Sequence, residues 1–346
     1  MHLDEPTWWY GPAGSTQTRL LAPIARIWAR VAERRWHRTT PYRSTLPVIC
    51  VGNFTTGGTG KTPVSAAIAD LLCQLGRTPV ILTRGYGGRL PGPHWVDPRL
   101  DTARDVGDEP LLHAARGPVV IARDRAAGAA LIEARGSTSD VIVMDDGLQN
   151  PSLAKTLTIA VVDGTRGLGN GRVMPAGPLR AGLDFQLSLV DAIVIVGGDS
   201  GSSVDRKLHD QIGSHFSKDV LTARVRPVGP EDWLTDGPVF AWAGIGSPAR
   251  FFDMLRANGA HVVGEVAFPD HHMPSAIQAR RLMQDASAHR ATLVTTEKDA
   301  VRVRASQGDV GTLAAASQPV RIALAFDDDH GARLSTLVKK ALACAP

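Results

Sequence analysis

The stretch Val48-Ile49-Cys50-Val51-Gly52-Asn53-Phe54-Thr55-Thr56-Gly57-Gly58-Thr59-Gly60-Lys61-Thr62 constrains what this chain can fold into more than any other. It opens with an apolar, β-branched run that reads as a short buried strand. Glycines at 57, 58 and 60 and the Lys61-Thr62 pair follow, and a helical pattern runs from Pro63 to Leu75. Strand, glycine loop and helix in that order make a phosphate-binding loop, because the glycines let backbone N–H groups turn inward around phosphate oxygens. Lys61 is placed to reach the terminal phosphates and the Thr62 hydroxyl to hold a magnesium ion. The nucleotide contacts expected are Thr55, Thr56, Gly57, Gly58, Thr59, Gly60, Lys61 and Thr62. Thr55 stands where the usual pattern has a glycine. A glycine-rich turn without a ligand is the simpler alternative, and the flanking strand and helix argue against it.

At 346 residues the chain has room for two ordinary domains, each with its own core. No run of about 18 apolar residues occurs, so no bilayer-spanning helix is expected. The N-terminus has Asp4 and Glu5 and lacks the apolar centre of a signal peptide. Cys50, Cys73 and Cys344 are scattered without metal spacing, which suits a reducing compartment. Charge is unevenly placed. Arginines 19, 26, 30, 34, 35, 38 and 43 outnumber Asp4, Glu5 and Glu33, so residues 1–43 carry the whole of the chain's net +4. Trp8, Trp9, Trp28 and Trp36, four of seven tryptophans, lie there too.

From Thr18 to Arg38, Leu20, Leu21, Ile24, Ile27, Trp28 and Val31 fall at helical spacing and form one apolar stripe, with Arg19, Arg26, Arg30 and Arg34 on a neighbouring face. Pro23 must lie in the first turn or kink this helix. The stripe has three readings: packing on its own domain, nucleic-acid contact, which nothing later in the chain supports, or a helix lying in a membrane interface. The last is favoured, with residues 18–38 at a membrane surface; no nucleic acid and no obligate protein partner are expected.

After the loop, strands at Pro79–Thr83, Pro118–Ala122, Val141–Met144, Leu157–Val162 and Ala192–Val196 alternate with helices. The Gly197–Ser203 cluster closes this first unit. Beyond it, strands at Val220–Val225, Val239–Ala243, His261–Ala267, Thr292–Thr295 and Val320–Phe326 alternate with helices and predict a second α/β sheet. The expected organisation is α/β throughout: residues 1–43 an amphipathic interfacial segment, 44–200 a P-loop NTPase-like α/β/α domain, and 201–346 a smaller α/β domain closing over the cleft. Val141–Met144 runs into Asp145-Asp146. A strand ending in aspartate suits the magnesium shell of a phosphate loop, and is otherwise a cap or turn. The His271-His272 pair lacks the further ligands of a metal site, so simple surface histidines are the alternative.

These stretches together resemble the tetraacyldisaccharide 4′-kinase family, the lipid A 4′-kinases. The carriers are the phosphate loop with its Thr55, Thr83-Arg84-Gly85-Tyr86-Gly87, Gly107-Asp108-Glu109-Pro110, Asp145-Asp146-Gly147-Leu148-Gln149, Pro175 through Arg180, Phe268-Pro269-Asp270-His271 and Thr296-Glu297-Lys298-Asp299-Ala300. The resemblance implies ATP- and magnesium-dependent phosphorylation of the 4′-hydroxyl of a tetraacyl glucosamine disaccharide 1-phosphate, at the cytoplasmic face of the inner membrane. It makes Asp108, His271 and Lys61 the catalytic residues, puts Arg123 and Arg180 near the phosphates, and assigns metal to Thr62, Asp145, Asp146 and Gln149. Two positions depart from the family's pattern. Leu148 and Asn150 flank Gln149 where Phe and His are usual, and Ala181 follows Arg180 where Glu is usual, with Asp184 a nearby carboxylate. Asp108 and His271 fall in different predicted domains, so closure of a cleft would assemble them. Other classes explain less. A switch ATPase has a signature lysine where this chain has Thr56, and a soluble small-metabolite kinase leaves the arginine–tryptophan helix without a purpose.

Overall fold

In the computed structural model, residues 5–11, 14–136, 138–197, 216–229, 236–327 and 329–344 are described, with Leu208, Ile212 and Leu234 between them. The strands in chain order are β1 (Val48–Asn53), β2 (Pro79–Thr83), β3 (His94–Trp95), β4 (Val119–Ile121), β5 (Val141–Asp145), β6 (Leu157–Asp163), β7 (Ala192–Val196) and β8 (Asp219–Pro227). They continue as β9 (Pro238–Ala243), β10 (His261–Ala267), β11 (Thr292–Thr296), β12 (Gln318–Val320) and β13 (Ile322–Phe326). A nine-stranded sheet has the order β13-β8-β7-β6-β1-β5-β2-β4-β3, and a four-stranded sheet the order β10-β9-β11-β12.

The large sheet is parallel except at its two edges, where β13 and β3 run antiparallel to their neighbours. Such a sheet is covered on both faces, so its strands are apolar throughout rather than alternating. In β1 all six residues are buried. Ile49 and Val51 face α2 (Lys61–Gln74), against Val64, Ile68 and Leu72. Val48 and Cys50 face the other side, with Val80, Leu82 and Met144. Each fully buried aliphatic side chain here contributes roughly 1.5–3 kcal/mol. The order places β1 between β6 and β5, so the chain leaves β1 in one direction and crosses back over it between β5 and β6. Ligands of open parallel sheets bind at such a switch point, outside the carboxyl ends of the strands. Asn53, Asp145 and Asp163 are the last residues of β1, β5 and β6.

The second sheet is not what the strand alternation predicted. Of the five strands expected in it, Val220–Val225 pairs with β7 of the large sheet instead. The single strand expected over Val320–Phe326 is two. β12 pairs with β11, and after Arg321 the chain crosses back so that β13 pairs antiparallel with β8. The boundary expected near residue 200 therefore does not separate the two sheets; apart from Gly197, the glycine–serine cluster proposed for it lies outside the described residues. The reason is packing. Leu221 and Ala223 of β8 share a core with Leu334 and Val338 of the last helix, His330–Ala343, next to the residues packed on α2. Alternation announces an α/β unit, and an edge with room for another strand decides which sheet receives it.

The N-terminal helix α1 (Thr16–Arg38) starts two residues earlier than expected, capped by the Ser15 hydroxyl, which accepts from Thr18 N–H at 3.3 Å. Pro23 therefore lies inside the helix rather than in its first turn and removes one helical hydrogen bond. Only Thr18 and Ala25 of α1 are buried. Leu20 is 73% exposed, Ile27 61%, Val31 57%, Ile24 55% and Trp28 51%. The stripe does not pack on its own domain. What holds α1 lies beyond and at the border of the stripe: Trp36 packs edge-on against Phe185 with ring centroids 6.0 Å apart, Lys155 lies over the Trp36 ring, and Trp28, itself a stripe residue, donates its indole N–H to the Arg180 carbonyl at 3.3 Å. Among the described residues no helix is long and apolar enough to cross a membrane.

Candidate active site

The loop after β1 is shaped by two glycines in the left-handed region, Gly57 at φ +90° and Gly60 at φ +86°, with Gly60 capping α2. Both its ends are tied. Asn53 Nδ2 donates to Thr59 Oγ1 at 3.0 Å inside the loop. Outside it, the Pro175–Arg180 segment pairs with the chain: Thr56 N–H donates to Pro178 O at 2.9 Å and Arg180 Nε to Thr55 O at 3.0 Å. Thr55 is thereby covered and its carbonyl spoken for, whereas Thr56 through Thr62 line a cleft of about 2390 Å³. Of the eight loop residues expected at the phosphates, Thr55 is the one the structure withdraws to a bracing role.

The two aspartates after β5 divide. Asp145 is buried and turned back into the protein, accepting from Ser65 Oγ at 2.7 Å and lying 3.6 Å from His113 Nε2. Burial raises its carboxyl, but the His113 and Ser65 contacts and the charge of Lys61 outweigh that and hold it below the usual range. Asp146, held at φ +51°, faces the cleft, with Lys61 Nζ at 3.6 Å and Arg180 Nη1 at 3.1 Å from its Oδ1. Here too burial works upward, and Lys61 and Arg180 bring the carboxyl down. Gln149, expected at the metal, braces the site instead: its Nε2 donates to Asn53 O at 2.7 Å and Gln186 Oε1 at 2.8 Å, and its Oε1 lies 3.4 Å from Arg180. Of the four residues expected at the metal, Thr62 and Asp146 line the cleft, while Asp145 and Gln149 are engaged with the protein behind it.

Of the two arginines expected near the phosphates, only Arg180 lines the cleft, beside Asp146. Arg123 is exposed, donates to Gly88 O at 3.5 Å and does not line the cleft. Asp184 is likewise exposed on the first turn of Leu183–Ser188 and outside the cleft lining, so it does not stand in for the missing glutamate. Among the described residues no three His, Cys, Asp or Glu side chains converge into a metal site. That fits magnesium, which is commonly held by one or two carboxylates together with substrate phosphates rather than by a protein cage. The donors present, an ionised Asp146 and the Thr62 hydroxyl beside an open glycine cradle, suit Mg-ATP.

Across the cleft, Asp108 opens the helix Asp108–Ala114 and is buried. His271 Nδ1 lies 3.0 Å from Asp108 Oδ2, so the pair expected from residues 163 positions apart is assembled. His272 is not part of it. It stacks on Phe268 at 4.8 Å and pairs with Gln278 at 3.1 Å, a local brace. The Tyr86 ring lies 5.8 Å from His271. Burial pushes the Asp108 carboxyl up, but the His271 hydrogen bond and the charges of Lys298, His271 and Arg302 overcome it and hold it well below the usual carboxylate range. The hydrogen bond to Asp108 raises the His271 imidazole, against burial, which lowers it.

Three residues at or behind this cleft were given no role in the sequence: Lys298 and Glu5 line it, and Arg302 is buried behind it. Arg302 Nη2 donates to Asp108 Oδ2 at 2.6 Å, and Lys298 Nζ pairs with Glu109 at 2.7 Å. Their spacing of four on one helix, Glu297–Val303, was the available signal that both point the same way. The third is Glu5. Its Oε1 is buried without a hydrogen-bond partner, 2.0 Å from where a Cβ on Gly57 would lie, while Tyr10 OH at 2.7 Å and Arg166 Nη1 at 3.1 Å hold its other oxygen. A carboxylate on the phosphate loop occupies ground that an anionic ligand needs.

A glycine loop between a buried strand and a helix at the switch point of a parallel sheet, facing ionised aspartates, defines a P-loop phosphotransferase-type protein. The sequence pattern of the tetraacyldisaccharide-1-P 4′-kinase family matches residues 17–339. The tetraacyldisaccharide 4′-kinase of Nitrobacter hamburgensis is 49% identical over 329 residues, covering 94% of this chain and 95% of that one. The enzyme of that name from Bradyrhizobium sp. (strain ORS 278) is 46% identical over 345 residues, 99% of each. In fold, the chain superposes on LpxK from Aquifex aeolicus, a crystal structure in complex with ATP, with a TM-score of 0.71 at 22% identity, over 94% of this chain and 99% of that one. The chain belongs to the tetraacyldisaccharide 4′-kinase family.

Proposed function

We propose that this chain transfers the terminal phosphoryl of ATP to the 4′-hydroxyl of a tetraacyl glucosamine disaccharide 1-phosphate, working as a peripheral protein on the cytoplasmic face of the inner membrane. The observation that carries the reading is a single cleft with Gly57–Thr62 and Asp146 on one wall and His271 and Lys298 on the other. Lys61 and Arg180, now turned to Asp146, are the cations for the β- and γ-phosphates, and the loop N–H groups cradle them. Asp146 and Thr62 would hold the magnesium, which would supply charge neutralisation at the phosphate oxygens. The Asp108–His271 pair takes the proton of the attacking hydroxyl. A soluble small-metabolite kinase would share all of this and would not need five large apolar side chains exposed along one helix.

The activity is tested by incubating the protein with γ-labelled ATP and a tetraacyl disaccharide 1-phosphate. Label is expected in the lipid extract on the distal sugar, and label confined to the aqueous phase would end the reading. For the membrane part, Leu20, Ile24 and Ile27 replaced together by aspartate are expected to lower binding to anionic phospholipid vesicles about 10-fold or more, since three buried anchors are lost. Turnover on detergent-dispersed substrate should be retained. Unchanged vesicle sedimentation of that variant would remove α1 as the anchor.

A further inference from the structure

We propose that Arg302 is a positioning residue for phosphoryl transfer, one that locks Asp108 and His271 in register and, by standing beside the carboxylate, weakens the pair's hold on its proton. The proposal rests on the kinase reading above. Arg302 is 7% exposed and spreads its guanidinium over three partners that bear on the pair. Nη2 donates to Asp108 Oδ2 at 2.6 Å, the same oxygen that faces His271 Nδ1 at 3.0 Å. Nη1 donates to the His272 carbonyl at 3.3 Å and to the Gly244 carbonyl at 3.0 Å, which also accepts the His271 backbone N–H at 3.1 Å. One planar fork thus grips the carboxylate and the backbone on which the histidine stands. A lysine, with a single nitrogen, lacks that geometry.

The arrangement has something to hold. His271 has φ +60°, a left-handed conformation that a non-glycine residue keeps only when its surroundings enforce it. Arg302 is itself fixed by Asp299, whose other oxygen accepts from Gly244 N–H at 3.0 Å and Thr296 Oγ1 at 2.6 Å. The charged groups around the pair are Glu109 on the Asp108 helix, Lys298, Asp299 and Arg302 on the Glu297–Val303 helix, and Asp270 on the histidine's own loop, whose Oδ2 is 3.8 Å from His271 Nε2. Of these, Arg302 is the cation in direct contact with the shared oxygen. In the reaction, the hydroxyl oxygen bonds to the γ-phosphorus as the bond to the β,γ-bridging oxygen breaks. ADP departs with that electron pair, and the hydroxyl proton passes to the pair. A pair that already holds its proton cannot accept another, so a cation that loosens that hold keeps the acceptor ready.

The test is kcat against pH, with ATP and lipid both saturating, for the wild type, Arg302→Gln and Arg302→Lys, alongside ATP binding and thermal unfolding. Arg302→Gln is expected to lose about 100-fold in kcat and to move the acid limb of the profile up by about one pH unit or more, because the neighbouring positive charge is gone. Arg302→Lys keeps the charge, so its limb should stay near the wild-type position while kcat falls. ATP affinity should be unchanged in both. If Arg302→Gln does not fold, the His271 imidazole titration followed by NMR in Arg302→Lys carries the test, through a reoriented ring with a nearly unmoved titration point. Wild-type kcat in Arg302→Gln, or equal losses in both variants with neither limb moved, overturns the proposal. A wild-type protein that fails to label the lipid overturns the kinase reading instead.

Discussion

His271→Ala and Asp108→Asn are each expected to lower kcat by about 10²–10⁴-fold, the range typical of a lost proton acceptor. Both residues sit on one hydrogen bond of 3.0 Å, so the double variant should be little worse than either single one. Asparagine is the right replacement for Asp108. Its amide oxygen can still accept from Arg302 Nη2, whereas alanine would leave that buried N–H without an acceptor, which costs about 1–3 kcal/mol and mixes unfolding with chemistry. The pH dependence follows from the direction of the shifts. His271 is raised above its ordinary 6.5, so the pair becomes able to accept a proton, and kcat rises, only as pH passes that raised value. For stability the same raised value means that the charged pairing is fully present below pH 6.5 and lost as pH climbs through the folded pKa. Asp108 is depressed below its ordinary 3.8, so its contribution is present above that pH and disappears only well into acid. Steady-state kinetics from pH 5 to 9, with unfolding curves over the same span, read both. An acid limb unmoved in Asp108→Asn, where the imidazole should titrate lower, would separate the two residues.

Lys61→Ala is expected to lower turnover by roughly 10²–10³-fold or more and to weaken ATP binding, because the cation that meets the developing charge on the transferred phosphoryl is removed. Stability should hardly change. The ion pair of Lys61 with Asp146 spans 3.6 Å at the cleft surface, and pairs of that kind contribute about 0–1 kcal/mol. Loss of activity with an unmoved thermal midpoint is therefore the expected signature, measured by label transfer and by calorimetry. Near-normal transfer by Lys61→Ala would mean that the glycine loop does not hold the reacting phosphates.

The catalytic wall nearest the loop was legible in the sequence because it is local. Strand, glycines, Lys61 and helix are consecutive, and short-range sterics decide their arrangement: only a loop with glycines at 57 and 60 adopts those left-handed angles without strain. The apolar stripe of α1 was equally readable, since helical period alone groups Leu20, Ile24, Ile27 and Val31. Family motifs pointed to Asp108 and His271. They did not say that Asp145 would turn inward to Ser65 and His113, that Gln149 would brace Asn53 and Gln186, or that Arg123 would stay outside the cleft.

Those outcomes were decided by the tertiary structure. A carboxylate at a strand end serves the interior or the cleft according to what packs behind it, and the partners of Asp145 come from two helices distant in the chain. The same holds for the sheets, where alternation named strands at Val220–Val225 and Val320–Phe326, but the first joined the open edge beside residues 192–196 and residues 322–326 of the second paired onto it. Residue type and spacing determined the chemistry this protein carries, because backbone sterics and hydrophobic period act over a few residues. Which side chains meet, above all Arg302 with Asp108, was determined only when long-range packing closed the chain on itself, because a hydrogen bond across 194 positions leaves no local trace.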